Sequence, residues 1–420
     1  MKVLLLGSGG REHAIGWKLT QQPDVELVSV PGNPGLAELG EVIPDVDITN
    51  PDLVTGIAIG MGADLVVVGP EAPLAAGVVD RLVEADVTTF GPIAAGARLE
   101  ASKAFAKDVM RKAGVPTGGS WTFTKLDDVV AHLEHADGPF VVKADGLAGG
   151  KGVLVTEDRI AAVGWARLCL EGHFGEAGNT VVIEEHLDGQ EVSVFYVCDG
   201  TRAVPLIPAR AFKRLADGGT GPNTGGMGCF APVDDLPEDL VEWVDEHVVE
   251  PTLDELRRRD IEFRGFLYCG MMLTDDGPKV LEFNCRLGDP ETQVVLPLLD
   301  EDLADLLRAG ARGRLTDEPF SWHPDHAVDV VLASAGYPDA PETGKPIEGV
   351  DDVDDDVLVF HAGTGRVDGD LVSTGGRVLN VVGIGPSLST ARQRAYAAAA
   401  RIEFEGKQFR TDIATTKGEQ

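Results

Sequence analysis

Several short stretches of this sequence hold residues whose types and spacing could do chemistry. In Lys279-Val280-Leu281-Glu282-Phe283-Asn284-Cys285-Arg286, alternation puts Glu282, Asn284 and Arg286 on one face and Leu281, Phe283 and Cys285 on the other. A carboxylate and an amide oxygen on one rigid strand suit Mg²⁺, with phosphate oxygens and waters completing the shell. Arg286, next on that face, suits a carboxylate or a transferring phosphoryl group. The plain alternative is a polar sheet face. Lys143-Ala144-Asp145-Gly146-Leu147-Ala148-Gly149-Gly150-Lys151-Gly152-Val153 lies between two apolar runs. A glycine-rich hairpin with a lysine at its tip can fold over a polyphosphate, its N–H groups meeting oxygens and its ammonium supplying counter-charge. It lacks the GxxxxGK[ST] order of a Walker loop.

Three further segments are weaker alone. Gly7-Ser8-Gly9-Gly10-Arg11-Glu12 follows a strand and opens a helix, where free N–H groups can receive an anion. Glu12 stands where a dinucleotide fingerprint has its third glycine, and no acid ends the second strand to hold a ribose. This is either a tight turn or a site for a mononucleotide-sized phosphate. Val182-Ile183-Glu184-Glu185-His186-Leu187 reads alone as a strand and a solvated acidic turn. Its backbone could also read an adenine edge, with Glu191 accepting from ribose hydroxyls. Thr220-Gly221-Pro222-Asn223-Thr224-Gly225-Gly226-Met227-Gly228 is a linker or a loop rich in N–H donors that closes over a small anion.

The elements that must position these residues fall into three regions. Lys2–Leu6, Glu26–Val30, Asp64–Val68 and Thr88–Phe90 are short apolar runs alternating with helices near 12–21 and 74–84, which predicts a doubly wound parallel sheet over residues 1–101. Ser102 caps a helix running to Lys112. Strands at 140–143, 153–156, 181–185, 192–198, 266–273 and 279–284, with helices near 160–171 and 237–259, predict an α+β domain over 102–322. Strands at 328–333, 358–361 and 378–382 and a helix at 389–401 predict a small C-terminal α+β domain over 323–420.

Composition narrows the function. The formal charge is −33 over 420 residues, which disfavours nucleic acid and anionic membranes as partners. No stretch supplies the roughly 20 uncharged apolar residues a membrane span needs. Five scattered cysteines form neither a zinc signature nor a disulfide framework, so a cytoplasmic location is expected. Acid is spread along the whole chain and lysine is scarce, with 13 in all, a balance expected of a halophilic protein bathed in molar salt. Each retained lysine is correspondingly more informative. Nothing suggests an obligate interface, so a monomer is expected.

Taken together and in order, these motifs resemble the ATP-grasp superfamily and, within it, the phosphoribosylamine–glycine ligases. The resemblance is carried by GSGGREHA at 7–14, Pro31-Gly32-Asn33, VGPEAPL at 68–74, Ser102-Lys103-Ala104-Phe105, the lysine-bearing glycine hairpin, TGPNTGGMG at 220–228, EFNCRLGDPET at 282–292 and FHAG at 360–363. It implies a central ATP-grasp domain with a glycine-rich lid over about 117–188. It also implies a reaction of purine biosynthesis in which ATP, glycine and 5-phosphoribosylamine give glycinamide ribonucleotide, ADP and phosphate. By the same resemblance Lys103 and Lys143 hold phosphates, Gly149, Gly150, Lys151 and Gly152 cover them, and Glu184, Glu185, Leu187 and Glu191 receive the nucleoside. Glu282 and Asn284 hold Mg²⁺ or Mn²⁺, and Arg286 and Lys151 serve catalysis. Gly9, Gly10, Arg11, Glu71, Asn223, Thr224, Gly225, Gly226, Arg286 and Asp289 contact the other substrates. The sequence departs from the pattern at Ala211-Phe212, where Asp-His is usual, at Gly149, where a second alanine is commoner, and at His186, where a hydrophobic or aromatic residue is usual.

Overall fold

The computed structural model describes residues 1–148, 152–354 and 356–415. Its first sheet grows from runs such as KVLLL and LVVV, whose consecutive apolar residues suit strands buried on both faces. Strands β1 (Lys2–Gly7), β2 (Glu26–Pro31), β3 (Glu41–Val42), β4 (Leu65–Val68) and β5 (Thr89–Phe90) lie parallel in the order β3-β2-β1-β4-β5. The chain leaves β1 toward β2 on one side and returns to β4 on the other. The crevice beyond the carboxyl ends of β1 and β4 is therefore a topological switch point, the usual ligand position in such sheets. The helix Gly10–Leu19 starts there.

The middle of the chain builds two antiparallel four-stranded sheets. Strands β6 (Ser120–Phe123), β7 (Phe140–Ala144), β8 (Val153–Thr156) and β9 (Val181–Glu185) run in the order β6-β9-β7-β8. The helices Leu126–His135 and Arg159–Leu170 bury one face of this lid sheet through Val129, Leu133, Ala162 and Ala166. Strands β10 (Gln190–Asp199), β11 (Ala203–Pro205), β16 (Arg264–Thr274) and β17 (Gly277–Asn284) form the second sheet in the order β11-β10-β16-β17.

The C-terminal sheet has the order β12-β15-β18-β22-β19, from β12 (Arg210–Ala211), β15 (Gly228–Ala231), β18 (His326–Ala333), β19 (Val357–His361) and β22 (Arg377–Gly385). Two of its strands thus come from the middle of the chain, which stitches that region to the C-terminal one. Hairpins β13 (Arg214–Ala216)/β14 (Thr220–Asn223) and β20 (Thr364–Val367)/β21 (Asp370–Ser373) complete the strands. The five cysteines are free and buried. No helix among the described residues is long and apolar enough to cross a membrane.

Three sequence expectations need correction. The helix expected near 74–84 is two, Glu71–Ala75 and Val78–Glu84, parted by Gly77 at φ +81°. The helix expected over 237–259 contains a π turn at Asp245–Val249 just before Pro251. Proline has no N–H for the carbonyl four residues back, and the wider turn absorbs that gap. The glycine-rich stretch expected as a loop is partly strand, because β14 pairs with β13.

Two motifs of unassigned purpose turn out to join the N- and C-terminal regions. Asn33 Nδ2 donates to the carbonyls of Ser8 at 2.9 Å and His361 at 2.8 Å. The backbone N–H of His361 donates to His13 Nδ1 at 2.8 Å, so that nitrogen carries no proton. Phe360 packs edge-on to His13 at 5.4 Å. Burial lowers both imidazoles, His13 to about 3 with a further contribution from His361, and His361 to about 4 with a further contribution from Arg366.

Both imidazoles are thus neutral when folded and charge more readily when unfolded. In the window from 6.5 down to about 4 the unfolded chain binds more protons, so stability falls as pH falls. Each imidazole should contribute a loss on the order of 3 kcal/mol. Urea unfolding across that window should show a shallower slope for His361→Gln than for the unaltered chain. Equal slopes would assign the pH dependence to other groups.

Candidate functional site

The strand β17 carries Glu282 and Asn284, and a bulge aims them. Tyr268 pairs with Asn284 and Gly270 with Glu282, but the next pair is Met271 with Val280. Leu281 is therefore the extra residue, half-buried rather than on the inward face with Phe283 and Cys285, and Val280 is fully buried instead. This corrects the simple alternation expected at Leu281; bulges re-aim neighbouring side chains in this way. Beyond the bulge Glu282 and Asn284 share a face. Neither side chain makes a hydrogen bond or short ion pair to another described residue. Burial pushes the Glu282 carboxyl up, but Lys213, Lys143, Lys103 and Arg286 together outweigh it and hold it below the usual range. Two hard oxygen donors left open beside a cationic wall fit Mg²⁺ or Mn²⁺ whose remaining ligands are phosphate and water. No cluster of three or more His, Cys, Asp or Glu that could hold a metal alone exists among the described residues.

The lysines come from separate elements. Ser102 caps the helix Lys103–Ala113 by accepting from Phe105 N–H at 3.1 Å, and its hydroxyl donates to Asp145. Lys103 Nζ reaches the Gly146 carbonyl at 3.4 Å, at the root of the glycine hairpin. Lys143 on β7 lies 2.9 Å from Glu184 on β9. Lys213 lies 2.6 Å from Glu191. The Glu184 carboxylate is also 2.9 Å from Lys107, which the sequence reading had missed. A signal existed: Lys103 and Lys107 are four apart on one helix face in a chain poor in lysine. Gly149, Gly150 and Lys151 lie outside the described residues. Gly152 does not: its carbonyl accepts from Ala144 N–H at 2.8 Å and closes the hairpin.

The hinge after β9 sorts its residues by face. Glu184 faces the lysines, whereas the carboxylate of Glu185 turns the other way and accepts from Gly119 N–H at 2.9 Å. Leu187 is buried and His186 is exposed. A cavity of about 460 Å³ brings Val155 of the lid sheet, His186 and Glu191 opposite Lys213, Asn223 and Arg410.

Arg286 is anchored from the N-terminal side. It lies 2.7 Å from Glu100 and 3.4 Å from Glu71. Glu100 also accepts Cys285 N–H at 2.8 Å, so one buried carboxylate fixes both the strand end and the guanidinium. Arg11 bonds Glu12 at 2.6 Å and the Leu287 carbonyl at 3.2 Å. The Gly9 N–H donates to the Glu12 carboxylate at 2.7 Å, which takes it from any anion. Gly9 is thus not the free donor expected of it. A Cβ on Gly10 would stand 2.5 Å from Asn380 Oδ1, so that position requires glycine.

The glycine-rich loop is likewise less open than expected. Thr224 N–H donates to Lys213 O, Gly225 N–H to Tyr337 Oη, Gly226 N–H to Thr224 Oγ1 and Met227 N–H to Phe212 O. Arg377 of β22 donates to the Gly225 carbonyl at 2.9 Å and the Asp289 carbonyl at 2.7 Å, and lies 3.4 Å from the Asp289 carboxylate. The loop is preshaped by internal bonds, with Asn223 exposed at its near end. Beside it, buried Glu291 accepts from Ser193 at 3.1 Å and Tyr268 at 3.4 Å, with no cation in ion-pair range among the described residues. Glu100 and Arg377 gave no sequence signal, because each works through a partner far along the chain, and Glu291 stood in the EFNCRLGDPET motif without a role of its own.

Comparison with known proteins agrees with this architecture. The chain matches the family models of phosphoribosylglycinamide synthetase: the N domain over residues 1–100, the ATP-grasp (A) domain over 101–292 and the C domain over 327–416. It is 52% identical over 421 residues to a phosphoribosylamine–glycine ligase of Streptomyces coelicolor, covering 99% of each chain. The crystal structure of phosphoribosylamine–glycine ligase from Thermotoga maritima aligns with a TM-score of 0.87 at 38% identity, covering 98% of this chain and 100% of that one. The biotin carboxylase domain of Hydrogenobacter thermophilus 2-oxoglutarate carboxylase, at 16% identity and TM-score 0.74 over 97% and 91% of the two chains, shares the fold alone.

Arg377 makes the bonds that tie the glycine-rich loop to Asp289. Arg377→Met should cost about 1–3 kcal/mol in urea unfolding and expose residues 216–228 to protease. A loss below about 0.5 kcal/mol with no new cleavage would show that the loop's own bonds suffice.

Proposed function

The chain belongs to the phosphoribosylglycinamide synthetase family, and from that premise we propose that it joins glycine to 5-phosphoribosylamine at the expense of ATP. The observation that carries this reading is the convergence of Lys103, Lys143, Lys213 and Arg286 on Glu282, with Asn284 open beside it. Such a site suits a polyphosphate and its metal.

A carboxylate is a poor electrophile, so glycine is first activated. Its oxygen attacks the γ-phosphorus of ATP, giving glycyl phosphate and ADP. Phosphoryl transfer asks for positioning and charge neutralisation more than covalent help. Lys103 and Lys143 meet the phosphates and Gly152 closes the hairpin root. The backbone from Glu184 through Glu185 to Leu187 reads the adenine edge, and Glu191 takes the ribose hydroxyls. A divalent cation, Mg²⁺ or Mn²⁺, held by Glu282 and Asn284 would offset charge on the transferring group. Arg286, fixed by Glu100, steadies the acyl phosphate.

Glycine also brings an ammonium group, and Glu291 is a buried carboxylate beside the loop with no cation within ion-pair distance among the described residues. The phosphoribosylamine phosphate rests at Gly10 and Arg11, in the crevice beyond β1, and Glu71 orients its amine. That amine attacks the acyl carbon and expels phosphate. Asn223 to Gly226 and Asp289 close the far side. Acyl phosphates hydrolyse in water, so the lid sheet closes before chemistry. Loss of the usual Asp-His at Ala211 and Phe212 is accommodated, because Phe212 packs between Phe230 and Arg410. We place the enzyme in the cytoplasm as a halophilic monomer, on its buried free cysteines and its charge of −33.

With phosphoribosylamine generated in situ, ADP release should require glycine. Alanine should be far poorer, and formate and bicarbonate inert. Equal turnover with either of the last two would overturn the assignment. Glu282→Gln removes a charge at nearly constant shape and should lower kcat by about 10²-fold or more. Near-normal kcat at saturating Mg²⁺ would reduce Glu282 to a polar strand residue.

A further inference from the structure

Lys107 takes no part in the reaction just described, yet it is one of the most buried lysines in the chain. Its Nζ lies 2.9 Å from Glu184 Oε2 and donates to Thr117 Oγ1 at 2.8 Å. Thr117 donates in turn to the Val280 carbonyl at 2.6 Å, on the strand that carries Glu282 and Asn284. On the other side of Glu184, Oε1 lies 2.9 Å from Lys143 but has no aligned hydrogen-bond donor. The side chains of Lys107, Glu184 and Lys143 are 6%, 5% and 9% exposed. Two ammonium groups therefore share one carboxylate away from water, and the set keeps one net positive charge.

The two contacts differ in what they join. Lys143 and Glu184 both belong to the lid sheet, on neighbouring strands β7 and β9. Lys107 belongs to the helix Lys103–Ala113, outside that sheet. Were Lys107 uncharged, Glu184 would hold Lys143 as its sole counter-ion, in surroundings where an unpaired charge is costly. An arriving phosphate would then have to compete with Glu184 for Lys143. With Lys107 charged, Glu184 keeps a partner when Lys143 turns to the phosphate.

We propose that Lys107 is a positioning residue that balances Glu184 and so frees Lys143 to exchange that carboxylate for a nucleotide phosphate. This rests on the reading that Lys143 meets ATP, and Lys143→Met tests that reading separately. If Lys143→Met leaves the KM for ATP unchanged, the nucleotide role of Lys143 fails. If it raises KM and the Lys107 variants do not, only the present inference fails.

The experiment is a charge cycle read as KM for ATP against kcat. Lys107→Gln keeps a donor for Thr117 but removes the charge, and should raise KM for ATP about tenfold with kcat within about threefold. Lys107→Arg keeps the charge and should stay within about threefold of the unaltered enzyme in both. The reference for the double variant Lys107→Gln, Glu184→Gln is Glu184→Gln alone: with no carboxylate left to retain Lys143, removing the Lys107 charge has nothing to unbalance, and the two should agree in KM for ATP within about threefold. A purely structural contact predicts instead that Lys107→Gln raises KM as much with Glu184 replaced as with it present. Should Lys107→Gln fail to fold, the comparison of the double variant with Glu184→Gln decides alone. A roughly tenfold higher KM in the double variant than in Glu184→Gln overturns the proposal.

Discussion

Like charges must be crowded together to grip a polyphosphate, and the structure is arranged around the cost of doing so. Lys103, Lys143, Lys213 and Arg286 all act on Glu282. Three of the four are tied to an acid: Lys143 to Glu184, which it shares with Lys107, Lys213 to Glu191 and Arg286 to Glu100. Among the described residues Lys103 has only the Gly146 carbonyl within hydrogen-bond reach, and burial lowers its affinity for a proton. A buried cation with a dedicated acid is held at modest cost, while an unpaired one would lose its proton or distort the fold. The acids therefore do two things at once. They make the crowd tolerable without ligand, and they fix where each cation points.

No single region could meet this demand, which explains the way the chain is stitched. Glu71 and Glu100 come from the N-terminal region and hold an arginine of the middle one. Arg377 comes from the C-terminal sheet and holds the glycine loop and Asp289. Strands β12 and β15 lie in the middle of the sequence but pair into the C-terminal sheet. Each junction ends on a side chain that borders the site. A site assembled at such junctions senses the relative placement of all its parts, and the bulge at Leu281 shows how small a local change re-aims Glu282 and Asn284.

This also sets what could be read from the sequence. The parallel sheet was legible because its strands are buried on both faces and show as unbroken apolar runs. Glu282, Asn284 and Lys143 were legible because strand spacing and lysine scarcity mark them without knowledge of any partner. Glu100 and Arg377 were not, since their meaning lies in far-off residues, as with Glu100 and Cys285, 185 positions apart. Gly9 and the loop at 220–228 misled in the opposite sense. Glycine-rich composition suggests free N–H groups, but the fold spends most of them on Glu12, Lys213 O, Tyr337 and Thr224. Composition reports the donors a loop owns; only tertiary contacts decide which remain free.

The overall charge sharpens the same logic. With a net charge of −33, the surface repels the phosphate-bearing substrates the site must bind. At about 0.1 M salt, screening acts over ~10 Å, so distant surface acids are felt weakly in a site whose own cations are in contact range. What the ligand meets at close quarters is the local set, and there Lys143, Lys213 and Arg286 are each paired with an acid. They are held in place by Glu184, Glu191 and Glu100, whose carboxylates occupy positions that ligand oxygens can partly take over. Exchange of one oxygen partner for another moves little charge and opens little new surface. An acidic chain can in this way keep a preorganised cationic site without leaving bare positive charge in the absence of its substrate.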